Sequence, residues 1–196
     1  MTEAQNPRSR TRLEPAVRLR QIVEAAARVF AEHETSKVPF ERIAQEAGVS
    51  RSLVYAYFSD RDSLFAAAYN HELEVLDAQL DGALASFGSD RERLAGVVSA
   101  YLAFAWQHRQ SWQLVASAST QHPVVREAIQ TRTDRIAVAI ADTPEVRLLV
   151  RSVIGMLEAA TVHTLENDDV KTDGLAELLT KVIWEGVSSI AGQPGP

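Results

Sequence analysis

Apolar residues in this chain recur every three to four positions, and little interrupts them: 196 residues contain only 9 glycines and 7 prolines. That period is the helical one, not the strict alternation of half-buried strands, so the spacing predicts an all-α fold. The clearest stripe is Leu175, Leu178, Leu179, Val182, Ile183, Gly186, Val187 and Ile190, which covers one helical face for about four turns. A second runs through Val146, Leu149, Val150, Val153, Leu157, Ala160 and Thr164. Turn formers and prolines at TSKVP, AGVS, FSD, FGSD, QHP and DTP punctuate the rest. Nine helices are expected, at about 15–32, 40–46, 50–57, 61–86, 90–108, 111–119, 123–141, 145–166 and 173–191. The polar loop ENDDVKTDG between the last two suggests an antiparallel hairpin.

Charge is distributed unevenly. The net charge is -6, yet residues 1–65 hold 10 Lys/Arg against 9 Asp/Glu, while the remainder carries 10 against 17. Five arginines, at 8, 10, 12, 18 and 20, fall in the first 20 residues. A basic end on an acidic body suits a protein that meets a polyanion at one end only. The absence of cysteine removes disulfide and thiolate chemistry and fits a reducing, cytoplasmic setting. No apolar run approaches a membrane span, and the N-terminal stretch has no apolar core of a signal peptide, so no membrane partner is expected.

Residues 48–65, GVSRSLVYAYFSDRDSLF, carry the chemistry. Set on a helix, a tight turn and a second helix, Ile43, Ala44 and Ala47 line the inner face of the first helix. Val49, Val54 and Phe58 face them from the second. Gly48 supplies the positive φ of a sharp corner, and Ser50 caps the helix that follows. Arg51, Ser52, Tyr55, Ala56 and Tyr57 are left pointing outward. Such a set suits the major groove, where arginine pairs with guanine and hydroxyls reach phosphates or bases. Further on, Ser59 and Asp62 before Leu64-Phe65 read as a capping box with aspartate in place of glutamate.

Through IVEAAARVFAEHE, FERIAQEAGVSRSLVYAYF and SDRDSLF, from about Arg20 to Phe65, the chain resembles the tetracycline-repressor (TetR) family of bacterial transcription regulators. The resemblance implies an N-terminal three-helix DNA-binding domain at 15–60, a helical ligand-binding and dimerisation domain at 61–192, a basic arm at 1–14 and a short tail at 193–196. It implies DNA contacts from Ser50, Arg51, Ser52, Tyr55 and Tyr57, with Arg61 as a phosphate contact at the start of the next helix. Arg12 and the rest of the arm are either a further DNA contact or a solubilising tail.

The chain departs from the family pattern at four points. Arg61 stands where lysine is usual, and His33-Glu34 where a glycine commonly ends the first helix. Val38-Pro39 replace a capping threonine. Leu53 takes the place of a small hydroxylated residue, either to touch a thymine methyl or to pack.

The resemblance also implies a homodimer through helices at about 145–166 and 173–191, on a palindromic, double-stranded DNA operator. It implies release by a small-molecule effector, most simply as a repressor. Tyr101, Trp106, His108, Trp112, Met156 and His163 are the candidate pocket residues, an apolar set with a few polar groups suited to a mostly apolar ligand. No cofactor or metal is expected. Enzyme motifs fail: HELEV at His71 lacks the second zinc histidine, GVSRS lacks the closing glycine of a nucleophile elbow, and NDDVKTD lacks the spacing of a calcium loop. The alternative reading is a helical ligand-binding or adaptor protein without specific DNA binding.

Overall fold

The computed structural model describes residues 14–33, 35–85, 88–117, 122–167 and 174–191. They form nine α-helices and one short 3-10 turn, with no strand among them. In order these are α1 (Pro15–Glu32), the 3-10 turn (Thr35–Lys37), α2 (Phe40–Glu46), α3 (Arg51–Tyr57), α4 (Arg61–Leu84) and α5 (Asp90–Gln107). Then follow α6 (Arg109–Ser117), α7 (Pro123–Ile140), α8 (Pro144–Glu166) and α9 (Leu175–Ala191). Helix ends lie within about three residues of the expected ones, because local chemistry fixes them. Proline opens α1, α7 and α8. A reciprocal capping box of Ser89 and Glu92 opens α5, and Thr143 caps α8 through Val146 N–H at 3.3 Å.

The corner between α2 and α3 is a Schellman turn. Val49 N–H donates to Ala44 C=O at 2.9 Å and Gly48 N–H to Gln45 C=O at 3.1 Å. Gly48 sits at φ 63°, the left-handed region that a side chain disfavours. Ile43, Ala44, Val54 and Phe58 are buried at this corner as expected. Val54 is fully sequestered, which fixes how α3 rolls and hence which of its residues reach outward.

Helix α1 packs on α2, α4 and α6, burying Ile22, Val23, Val29 and Phe30 along one face. Helix α4 has 24 residues, about 36 Å at 1.5 Å each, and runs from the corner beside α3 into contact with α5, α6 and α7. Most of the buried apolar residues, from Ile22 to Ile183, form one continuous cluster. Helix α9 lies chiefly along α5 and touches α8 more sparingly.

Two sequence expectations change. The cap of α4 is Asp60, whose carboxylate accepts Ser63 N–H at 2.7 Å, and not a Ser59–Asp62 box. Shifting the cap by one residue places Asp60 three residues before Ser63, the spacing that a side-chain oxygen needs to reach a free N–H. Helix α8 is long and apolar enough to cross a membrane by length and composition, at mean hydropathy 1.3, although its sequence did not read so. Its apolar residues are shared between packing on α5, α6, α7 and α9 and an open face.

Gly48→Ala is expected to destabilise the protein by about 1–2 kcal/mol, since the added Cβ meets nothing within 4 Å and only the backbone conformation is penalised. Gly82→Ala, equally unobstructed inside α4, is expected to stabilise by about 0.5–1 kcal/mol. Urea unfolding of the pair checks that the two signs are opposite.

Candidate nucleic-acid interface and effector region

At the far end of the α1–α4 unit, α3 presents Arg51, Ser52, Tyr55 and Ala56 to solvent above buried Val54. Ser50 caps it: its Oγ accepts Leu53 N–H at 3.3 Å and lies 3.0 Å from Ser52 Oγ. The Arg51 guanidinium is held from two sides. Nη1 forms an ion pair with Glu41 on α2, and Nη2 donates to Tyr55 Oη at 3.3 Å, with the guanidinium 5.2 Å from the Tyr55 ring centre. The Tyr55 hydrogen bond first, then the charge of Glu41, raise the Arg51 pKa further above its already high value. Tyr55 in turn leans on Phe40, ring centres 4.8 Å apart.

Two residues expected to face DNA are also engaged within the protein. Tyr57 is half-buried, and its hydroxyl donates to Pro15 C=O at 3.3 Å, fastening α3 to the start of α1. Arg61 donates from Nε to Val38 C=O at 2.9 Å and from Nη1 to Ser36 C=O at 2.6 Å, so it holds the segment that leads into α2. Both tie neighbouring segments together. The planar fork of arginine explains its presence, because a single ammonium does not span two carbonyls in this way. Arg12 lies outside the described residues. Leu53 is half-buried and packs against the core. Pro39 precedes α2 without a side-chain cap, so the contact that a threonine would provide is missing.

Sequence reasoning missed Glu41. It lies ten residues before Arg51, and only the crossing of α2 over α3 brings the two together.

In the opposite half, Tyr101, Phe104 and Trp112 pack edge to face, with Trp112 5.3 Å from Tyr101 and 5.8 Å from Phe104. His108 stacks on Phe104 at 4.3 Å, and Trp112 Nε1 donates to Thr161 Oγ1 at 3.3 Å. Met156 packs against this core. Trp106 does not join it: half of its surface is exposed, with Arg109 over its ring at 5.6 Å. His163 also faces out, beside Asn167 at 3.2 Å. The six candidates therefore do not share one cavity among the described residues. Trp106 instead edges a groove of about 250 Å3 between α5, α8 and α9, whose other wall includes Thr161, Leu165 and Leu175.

Polar groups are buried close to the aromatic cluster. Burial first, then Glu158, raise the Tyr101 pKa, and the same causes push Tyr69 up to about 12. Burial also raises the Glu158 carboxyl, opposed by Arg151 and Arg132. Arg132 pairs with Asp77 at 2.6 Å, tying α7 to α4, and the buried Thr133 hydroxyl has no hydrogen-bond partner.

An exposed, capped helix set on a buried helix-turn-helix at one end of an all-α body is the arrangement of a helix-turn-helix DNA-binding domain. The family model for bacterial regulatory proteins of the tetR family matches residues 22–68. The transcriptional regulator BetI of Brucella anthropi is 34% identical over 87 residues, which cover 44% of this chain and 44% of BetI. That match spans less than half of the curated relative. The transcriptional activator FasR of Mycolicibacterium smegmatis is 23% identical over 181 residues, covering 87% of this chain and 83% of FasR. A TetR-like transcriptional regulator from Rhodococcus sp. RHA1 has the same fold at a TM-score of 0.74 and 27% identity, over 93% of this chain and 100% of that one. All three are named as transcriptional regulators and not as enzymes. Residues 22–68 carry the tetR-family domain, and the fold over 93% of the chain is that of a TetR-like regulator.

Replacing Arg61 by methionine, which cannot donate to Ser36 and Val38, is expected to lower unfolding free energy by about 1–3 kcal/mol in urea. Unchanged stability would leave Arg61 as a phosphate contact only. Acid tests the Asp60 cap. The Ser63 N–H, then the Ser59 and Ser63 hydroxyls, hold this carboxyl below its ordinary 3.8. Its contribution is therefore present above 3.8 and lost as the pH falls below that through the lowered folded-state value. Amide exchange in the first turn of α4, compared with an Asp60→Asn variant, is expected to lose its protection in that window.

Proposed function

We propose that this chain is a cytoplasmic, homodimeric transcriptional regulator that binds a palindromic operator and leaves it when a small, mostly apolar effector binds. The observation that carries the reading is α3 itself: Arg51, Ser52 and Tyr55 stand exposed on a helix whose opposite face is locked by Val54. Residues 15–60 serve as the DNA-binding domain and 61–192 as the effector and dimer domain. Ser50, Arg51, Ser52 and Tyr55 contact DNA, while Tyr57 and Arg61 hold the reading helix in place.

Support for a dimer comes from the open apolar faces of α8 and α9, where Leu148 is 70% exposed, Leu178 57% and Val182 51%. Side chains of this size left in water on adjoining helices favour a matching surface. Gly155 and Gly186 add to this, because a Cβ at either would meet nothing within one chain, leaving room for close approach by another. Support for an effector comes from the Tyr101–Phe104–Trp112 cluster, with Glu158, whose charge acts on Tyr101, as an orienting group. A ligand there shifts the dimer toward a recognition-helix separation that no longer fits DNA, by no more than its preference for that state.

Genomic fragments selected by the purified protein are expected to share one palindrome. Arg51→Ala with Tyr55→Ala is expected to reduce binding to it to the level of unrelated DNA, about 100-fold or more at physiological salt. Folded protein that enriches nothing specific, with or without effectors, would overturn the reading. Leu178→Asp with Val182→Asp is expected to sediment as a monomer and to lose the palindrome. A dimer that survives this change would place the interface elsewhere.

A further inference from the structure

Glu41 is the one acidic residue of the first turn of α2, a helix start that lacks a side-chain cap. A carboxylate beside the DNA-reading surface works against phosphate attraction, so its place there calls for another role. Its partner is Arg51, the first residue of α3. The guanidinium has five N–H donors in a fixed plane. Glu41 takes one at Nη1 and Tyr55 takes one at Nη2, which leaves the Nε–H and one N–H on each Nη uncommitted. Tyr55 is itself held by Phe40, the residue that precedes Glu41 on α2. Arg51 is thus clamped by two elements and still has donors to offer.

We propose that Glu41 is a specificity-determining positioning residue: together with Tyr55 it holds the Arg51 guanidinium in one orientation, matched to the paired O6 and N7 acceptors of a guanine. This rests on the DNA-binding reading above. The clamp need not open for guanine to bind, so the orientation is set before the encounter and less side-chain freedom is lost on binding. Without Glu41 the side chain is free to swing to a phosphate, which attracts it at every sequence alike.

The clamp and plain electrostatics predict opposite signs. Glu41→Gln is expected to lower affinity for the selected operator about 5-fold. It is expected to flatten the preference for guanine at the base pair that Arg51→Ala also relaxes, from about 30-fold to about 3-fold. Affinity for unrelated DNA is expected to hold or to rise about 2-fold, because one negative charge is gone. Glu41→Asp, which keeps the charge but shortens the reach, is expected to flatten the guanine preference as well. Binding is measured with the operator duplex, its three substitutions at that base pair and an unrelated duplex, on variants whose thermal unfolding matches the parent. A parallel rise for operator and unrelated DNA, or an unchanged guanine preference in Glu41→Gln, would overturn the proposal while leaving the regulator reading intact. A parent protein that prefers no sequence at all would sink that reading first, and the clamp with it.

Discussion

Phe65 is the contact on which the rest of the structure depends. It lies one turn into α4, with Phe30 of α1 edge-on at 5.7 Å, Tyr69 stacked at 5.9 Å and the His122 ring at 4.7 Å. Three helices therefore meet on one side chain, seven residues after the end of buried Phe58. His122 caps α7, so the start of that helix is fastened to the helix that leaves the DNA-reading corner. The continuous apolar cluster makes the same point at larger scale, since nothing in it separates the turn around Gly48 from the aromatic group around Trp112. In a close-packed interior, the two ends share one continuous set of contacts.

The reading surface is small because so much of the sequence around it is needed to hold it. Of the residues from Ser50 to Arg61, Ser50 caps, Leu53, Val54 and Phe58 pack, Tyr57 ties α3 to α1, and Arg61 ties α4 to the segment before α2. Arg51, Ser52 and Tyr55 are the longer polar side chains that remain exposed on α3, and two of these three are already engaged with each other and with Glu41. The acidic body is consistent with this arrangement. The guanidinium of Arg51 is oriented there by Glu41 and Tyr55.

Helix order and helix ends were legible in the sequence because prolines, capping serines and threonines and Gly48 act over three or four residues, which a sequence displays directly. The inner face of α3 was legible for the same reason. The internal bonds of Tyr57 and Arg61 were not, since their partners, Pro15, Ser36 and Val38, lie 42, 25 and 23 positions away and are main-chain carbonyls that carry no sequence signal. The effector region was read only by residue type. Val98, Tyr101, Phe104 and Ala105 mark the buried face of α5, and Trp106 is one step past it. On α8 the series Ile154, Leu157, Thr161, Thr164 and Leu165 likewise leaves His163 outside. Helical registers assigned before counting aromatics would have removed both. Thr161, the partner of Trp112, was invisible because threonine on a helix has many uses.

In the proposed dimer, two copies of α3 are carried at a fixed separation by one rigid, α4-linked body. A hydroxyl-radical footprint of the protein on its selected DNA fragment measures this directly. Two protected patches related by a two-fold axis, centred one helical turn or slightly more apart, roughly 34–36 Å or a little beyond, are the predicted result. A single patch, or protection whose spacing varies from one bound fragment to the next, would contradict it.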